Sequence, residues 1–296
     1  MPFRRFCAAA FSCAVSFAPF AASANDVDPA VAKRHVNLSA LQPMLAEQIA
    51  KSACFAAIGV NTSANVAYLG GAYRLFESTR QGLRDGSDAL GLEAETSRGM
   101  ISALDRLDSA SSAWGARVAA LAQSERPSMQ VVIGVIGTSG AVETAARDVA
   151  EMAERTYALG DQSFPFQISL KIKLASRQRT LSQSMAKDVC LIQANVQAEE
   201  SRASLQEAIG VFDASLSALR DGFPAFNLPA ESDAGLRSQL DYVAELWEEV
   251  KPAYVRIASG EEPSAAEMRL IAWQNNQILS KMNAAAFNYE FIATGS

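Results

Sequence analysis

The sequence predicts an all-α protein built as two tandem antiparallel four-helix bundles. Three observations carry this. First, a segment recurs at a fixed offset: Leu38, Gln42, Leu45, Ala50, Lys51 and Cys54 each meet the same residue type 136 positions later, between Leu174 and Cys190. Phe76 likewise matches Phe212, Leu83-Arg84-Asp85-Gly86 matches Leu219-Arg220-Asp221-Gly222, and Leu104-Asp105 matches Leu240-Asp241. A constant offset over so long a stretch marks a duplicated unit, and repeats take precedence in assigning a fold. Second, long Ala-, Leu-, Gln- and Glu-rich stretches carry apolar residues at helical spacing, while Gly and Pro sit in clusters between them. Third, strand signals are almost absent.

The first element is an export signal rather than part of the fold. Arg4 and Arg5 form a basic head, Phe6 to Phe20 an apolar core, and Ala22-Ser23-Ala24 a small-x-small cleavage site. The arginine pair resembles a twin-arginine signal, but the rest of that motif is missing. Cys13 is placed too early, and after too poor a motif, to be a lipoprotein cysteine. Cleavage after Ala24 removes two of the 26 basic residues and leaves 24 against 32 acidic ones. So acidic an exported chain is a poor candidate for binding nucleic acid or an anionic membrane. No later segment has eighteen uninterrupted apolar residues, so no membrane span is expected. The organisation read from the repeat is a signal peptide at 1–24, one unit at 25–160 and a second at 161–296.

In the first unit, helices are predicted over about 29–60, 62–84, 92–122 and 140–159. In the second they fall over about 166–197, 200–220, 231–258 and 264–292. Leu38, Leu41, Leu45, Ile49 and Ala53 make one apolar stripe; Leu174, Leu181, Met185, Val189 and Ile192 make its counterpart. Pro43 lies inside the first helix and predicts a kink near Ser39 to Ala40. Gly86 and Gly222 end the second helices, in the place a left-handed cap needs. The β-branched run Met129 to Ile136 reads as a loop or short buried segment, and Gly134, Gly137 and Gly140 as a flexible turn without the context of a phosphate loop. Four amphipathic helices per unit make a four-helix bundle, with the two bundles end to end or side by side.

After removal of the leader, Cys54 and Cys190 remain, at repeat-equivalent positions. An oxidising compartment permits one bridge between them; two buried thiols are the alternative.

Lys173-Leu174-Ala175-Ser176-Arg177-Gln178-Arg179-Thr180-Leu181-Ser182-Gln183-Ser184-Met185-Ala186-Lys187 resembles the signature of the PilJ-type domain, the sensory N-terminal domain of type IV pilus chemotaxis transducers. Asn37 to Lys51 follows the same frame more loosely. The frame is also similar to the ligand-binding helix of nitrate and nitrite sensor kinases, in which an arginine and its twin across a dimer hold the anion. The resemblance puts Arg179 at that position, with Arg177 and Gln183 as further ligand candidates. Unit one has Pro43 and Leu41 in place of the two arginines, so one chain cannot form a symmetric two-arginine clamp. If the first helices pair about a pseudo-twofold axis, as the resemblance implies, Cys54 and Cys190 approach each other and form a disulfide.

A planar guanidinium suits a planar oxyanion; arginines that pair with acids or face solvent are the plain structural reading. His35 is the single histidine and reads as a surface side chain, which excludes a multi-histidine metal site. Trp114, Trp247 and Trp273 read as core or interface anchors; Glu248-Glu249 and Glu261-Glu262 read as solvated helix faces. No acid, base and nucleophile can be assembled, so neither an enzyme nor a cofactor is expected. The expectation is an exported, periplasmic sensory protein that binds a small nitrate- or nitrite-like anion and relays to a membrane receptor, sensor kinase or transporter. The other reading is an adaptor protein without a small ligand.

Overall fold

The computed structural model describes residues 28–158 and 166–292. The export signal at 1–24 and the unit boundary near residue 160 lie outside the described residues. Among the described residues there are nine α-helices and no strand. They are α1 (Pro29–Ser39), α2 (Leu41–Ala57), α3 (Thr62–Asp85), α4 (Arg98–Ala122), α5 (Met129–Ala153), α6 (Phe166–Gln193), α7 (Ala198–Asp221), α8 (Ala234–Ala258) and α9 (Ala265–Ile292).

Local chemistry sets the helix ends. Asp28 caps α1 by accepting from the Ala30 N–H at 2.8 Å, with Pro29 in the first turn. Asp233 caps α8 through the Leu236 N–H at 2.8 Å. Ser264 and Glu267 form a reciprocal capping box at the start of α9. Pro43 acts as its chemistry requires: it has no N–H for the carbonyl one turn back, and the first helix divides at Ala40. Gly86 and Gly222 end α3 and α7 at φ +83°, but with ψ of 163° and 172°. That is a region open essentially to glycine alone, not the left-handed cap.

The elements repeat with the sequence. Helices α4 and α8 begin and end 136 residues apart, as do α3 and α7 and the 3₁₀ turns Asp88–Leu90 and Pro224–Phe226. Arg84 pairs with Asp105 at 2.9 Å, and Arg220 with Asp241 at 2.9 Å. Helices α2 to α5 close one ring, each touching the next and α2 touching α5; α6 to α9 close the other in the same order. The rings lie side by side, with α2 packed on α6. Phe76 sits edge-on to Trp114 at 5.4 Å, and its counterpart Phe212 packs on Trp247 at 4.4 Å. Such aromatic pairs anchor the interior of each ring.

Two further expectations are corrected. Met129 to Ile136 is not a loop but the first two turns of α5, and Gly134, Gly137 and Gly140 lie within that helix. Burial of Val132, Val135, Val142, Ala146 and Val149 against the ring outweighs weak helix propensity. By length and composition alone, Met129–Ala158 is apolar enough to cross a membrane, although it has no run of eighteen uninterrupted apolar residues; here α5 forms the fourth wall of the first ring. His35 is buried, stacked on Tyr157 at 4.3 Å, rather than on the surface. Of the three tryptophans read as core or interface anchors, Trp114 and Trp247 are buried, while Trp273 is 64% exposed and is not part of the core.

Candidate functional site

The seam between the two rings carries an unusual density of buried polar side chains. Arg179, on α6, is fully buried. Its Nη2 donates to Ser176 Oγ at 2.7 Å and to Asn37 Oδ1 at 3.1 Å, and its Nη1 to Asn283 Oδ1 at 3.4 Å. Its Nε has no partner among the described residues. All three acceptors are neutral. The adjacent carboxylate, Glu290 on α9, is engaged elsewhere: it accepts from Asn37 Nδ2 at 2.9 Å and from Arg34 Nε at 3.2 Å. Asn37 therefore stands between cation and anion, bonded to both. Burial pushes the Arg179 guanidinium down to about 9, against the opposing pull of Glu290.

The fold brings these groups together from three places. Division of the first helix at Ala40 lets α1 lie against α5, α6 and α9, which delivers Arg34 and Asn37. Helix α6 supplies Ser176 and Arg179 one turn apart, and α9 supplies Asn283 and Glu290.

Gln183, one turn beyond Arg179, is buried with its Oε1 unpartnered, while its Nε2 donates to Ser182 Oγ at 3.1 Å. Arg177 is not part of this cluster. Two residues on a helix are about 200° apart, so Arg177 is exposed on the opposite face beside Lys173, Arg147 and Glu151. Further along the seam, Cys54 and Cys190 are both buried, with Cα atoms 6.1 Å apart and their sulfurs bonded.

Lys51 and Lys187 occupy repeat-equivalent positions one turn before the cysteines. Lys187 pairs with Glu47 at 2.8 Å. Lys51 is held only by Asn275 Oδ1 at 2.8 Å and Asn276 Oδ1 at 2.9 Å, and burial lowers its pKa to about 7. The seam thus buries two cations, Arg179 and Lys51, that make no ion pair among the described residues.

Sequence reading missed Asn37, Asn283 and Glu290 as parts of the Arg179 cluster. They lie more than a hundred residues from Arg179; Asn37 opens the looser copy of the motif, but only the tertiary packing of α1 and α9 on α6 brings it, Asn283 and Glu290 to Arg179. Among the described residues no group of His, Cys, Asp and Glu side chains is arranged to hold a metal.

Residues 169–272, from the first turn of α6 into α9, match the PilJ family model, described as type IV pili methyl-accepting chemotaxis transducer N-term. The matched stretch contains Ser176, Arg179 and Gln183 and is similar to a sensory, non-catalytic family related to chemotaxis transducers. No curated relative and no solved structure matches the chain.

Proposed function

We propose that this protein is an exported, periplasmic sensor made of two PilJ-type units, which binds a small nitrate- or nitrite-like anion at Arg179 and relays its occupancy to a membrane receptor, sensor kinase or transporter. One observation carries the reading: a fully buried guanidinium whose bonds all go to neutral oxygens and whose Nε is unpartnered. A cation out of water is costly unless an anion compensates it, and a trigonal oxyanion matches the guanidinium edge. Gln183 and Ser176 supply further polar contacts beside it.

The arrangement also provides a relay. An anion that takes N–H bonds from Arg179 competes with Asn37 on α1 and Asn283 on α9. Binding at α6 thereby loosens or re-aims the two helices that flank it.

Calorimetric titration with nitrate, nitrite and a panel of small anions tests this, using the wild type and Arg179→Met. Saturable binding to the wild type that weakens at least a hundredfold in the variant supports the reading. No binding by folded wild-type protein refutes it. The adaptor reading draws on the exposed Trp273 of α9, an aromatic anchor without a partner in the chain.

A further inference from the structure

The two rings carry a matched pair of surface grooves whose chemistry has diverged. One groove, of about 720 Å³, lies between the α2–α3 face and α9. The other, of about 480 Å³, lies between the α6–α7 face and α5. Their linings correspond at the same offset of 136 residues, with Leu45 and Ala72 of the first answered by Leu181 and Ala208 of the second. Elsewhere charge has replaced apolar surface, or the reverse. Leu41, Gly71 and Phe287 of the first groove face Arg177, Glu207 and Glu151 at the equivalent places in the second. Met44 and Tyr68 are answered by Thr180 and Ser204. The second groove is a mixed-charge, self-neutralising surface suited to water. The first keeps Tyr68 44%, Leu75 42% and Phe287 37% exposed, so aromatic and aliphatic area faces solvent in a concave site.

One end of the apolar groove is polar and offers donors. Arg34 packs against Gly91, where a Cβ would collide with its Nη1. Its Nε is spent on Glu290 and its Nη1 on Gly91 O at 3.4 Å, which leaves Nη2 without a bond to the described residues. Asn283 also lines the groove, two helical turns before Glu290 on α9, with its Oδ1 on Arg179. Asp88 lies at the mouth but is exposed and screened by water.

We propose that this groove binds an amphipathic monocarboxylate, with its medium-chain alkyl or aryl-alkyl body along Leu41, Met44, Tyr68, Leu75 and Phe287 and its carboxylate on Arg34 Nη2. The volume is that of a small-molecule site, and an apolar lining with a few convergent polar groups is the usual composition of one. The site is separate from the anion at Arg179, which does not line the groove.

The test is equilibrium binding of decanoate and of 1-decanol, each below its aggregation limit, to the full chain and four variants. Decanoate is expected to bind saturably below millimolar concentration and at least tenfold tighter than the alcohol. Phe287→Glu, which imports the charge found at Glu151, should weaken decanoate at least tenfold; Tyr68→Ser, which imports Ser204, serves if the first variant does not fold. Arg34→Gln should erase the preference for acid over alcohol. Arg179→Met should abolish nitrate binding while decanoate stays within about threefold, which separates failure of this proposal from failure of the anion reading. No saturable decanoate binding to folded protein, or binding indifferent to both lining variants, overturns the site. Equal binding of acid and alcohol overturns the assignment of the carboxylate.

Discussion

Replacing Cys54 and Cys190 together by alanine tests the seam between the two rings. The bond joins residues separated by 136 positions, so it closes a very long loop in the unfolded chain. In the chain-entropy treatment, a loop of that length loses conformational freedom worth up to about 5 kcal/mol at 25 °C. Both sulfurs are fully buried, so removing them also leaves a small void, which costs about 1 kcal/mol more. The double variant is therefore expected to lose about 3 to 6 kcal/mol, a fall in melting temperature on the order of 10 °C. It should keep the wild-type helical circular dichroism, because the helices of each ring pack on one another, and α2 on α6, along their lengths without the bond. Urea titration gives the free energy, and non-reducing peptide mapping should recover the Cys54 and Cys190 peptides as one linked species. Separate peptides, or a loss below about 1 kcal/mol, would refute the reasoning.

Three further outcomes follow from individual residues. Lys51 is shifted by burial from 10.5 to about 7. Between those values the unfolded chain holds a proton that the folded chain has released, so stability gains with rising pH. The wild type should gain up to about 2 kcal/mol relative to Lys51→Met between pH 7 and 8.5; equal pH slopes in urea titrations would contradict this. Trp247 Nε1 donates to Asp213 at 2.6 Å, whereas the buried Trp114 Nε1 has no partner. Trp247→Phe should accordingly cost about 1 to 2 kcal/mol more than Trp114→Phe, measured the same way. At Gly222, with φ +83°, a Cβ would stand 2.6 Å from Ala230 N, whereas at Gly210 it meets nothing within 4 Å. Gly222→Ala should destabilise by about 1 to 3 kcal/mol, while Gly210→Ala in α7 should stabilise by up to about 1 kcal/mol; thermal melts of the pair decide it.

The fold was legible where sequence periodicity and duplication agreed. Pro43 announces the break at Ala40, and the Asp-Gly pairs announce the ends of α3 and α7. The start of α5 was misread because Val, Ile and Gly are weak helix formers locally, and a ring of helices supplies the missing stabilisation only in three dimensions. The repeat held the correction: the helix predicted from residue 264, carried back by the offset, begins at 128, next to the observed Met129. At the candidate site, Arg179 stood out through its motif, but its burial did not, and Arg177 two residues away shared the motif without sharing the face. Asn37, Asn283 and Glu290 were invisible because nothing local distinguishes a buried amide from an exposed one. His35 misled for the opposite reason, since its partner Tyr157 is far away in sequence.

The pairing of α2 with α6 inside one polypeptide has a consequence for how such a protein can operate. Two separate subunits meeting along the same seam would part on dilution, and their behaviour would vary with their abundance. A covalent link holds the halves at a fixed effective concentration, so the meeting of these two halves does not depend on the abundance of the chain. It also frees the halves from mirroring each other. Two identical subunits would place like cations on both sides of the axis or on neither, whereas this chain sets a single arginine opposite a proline.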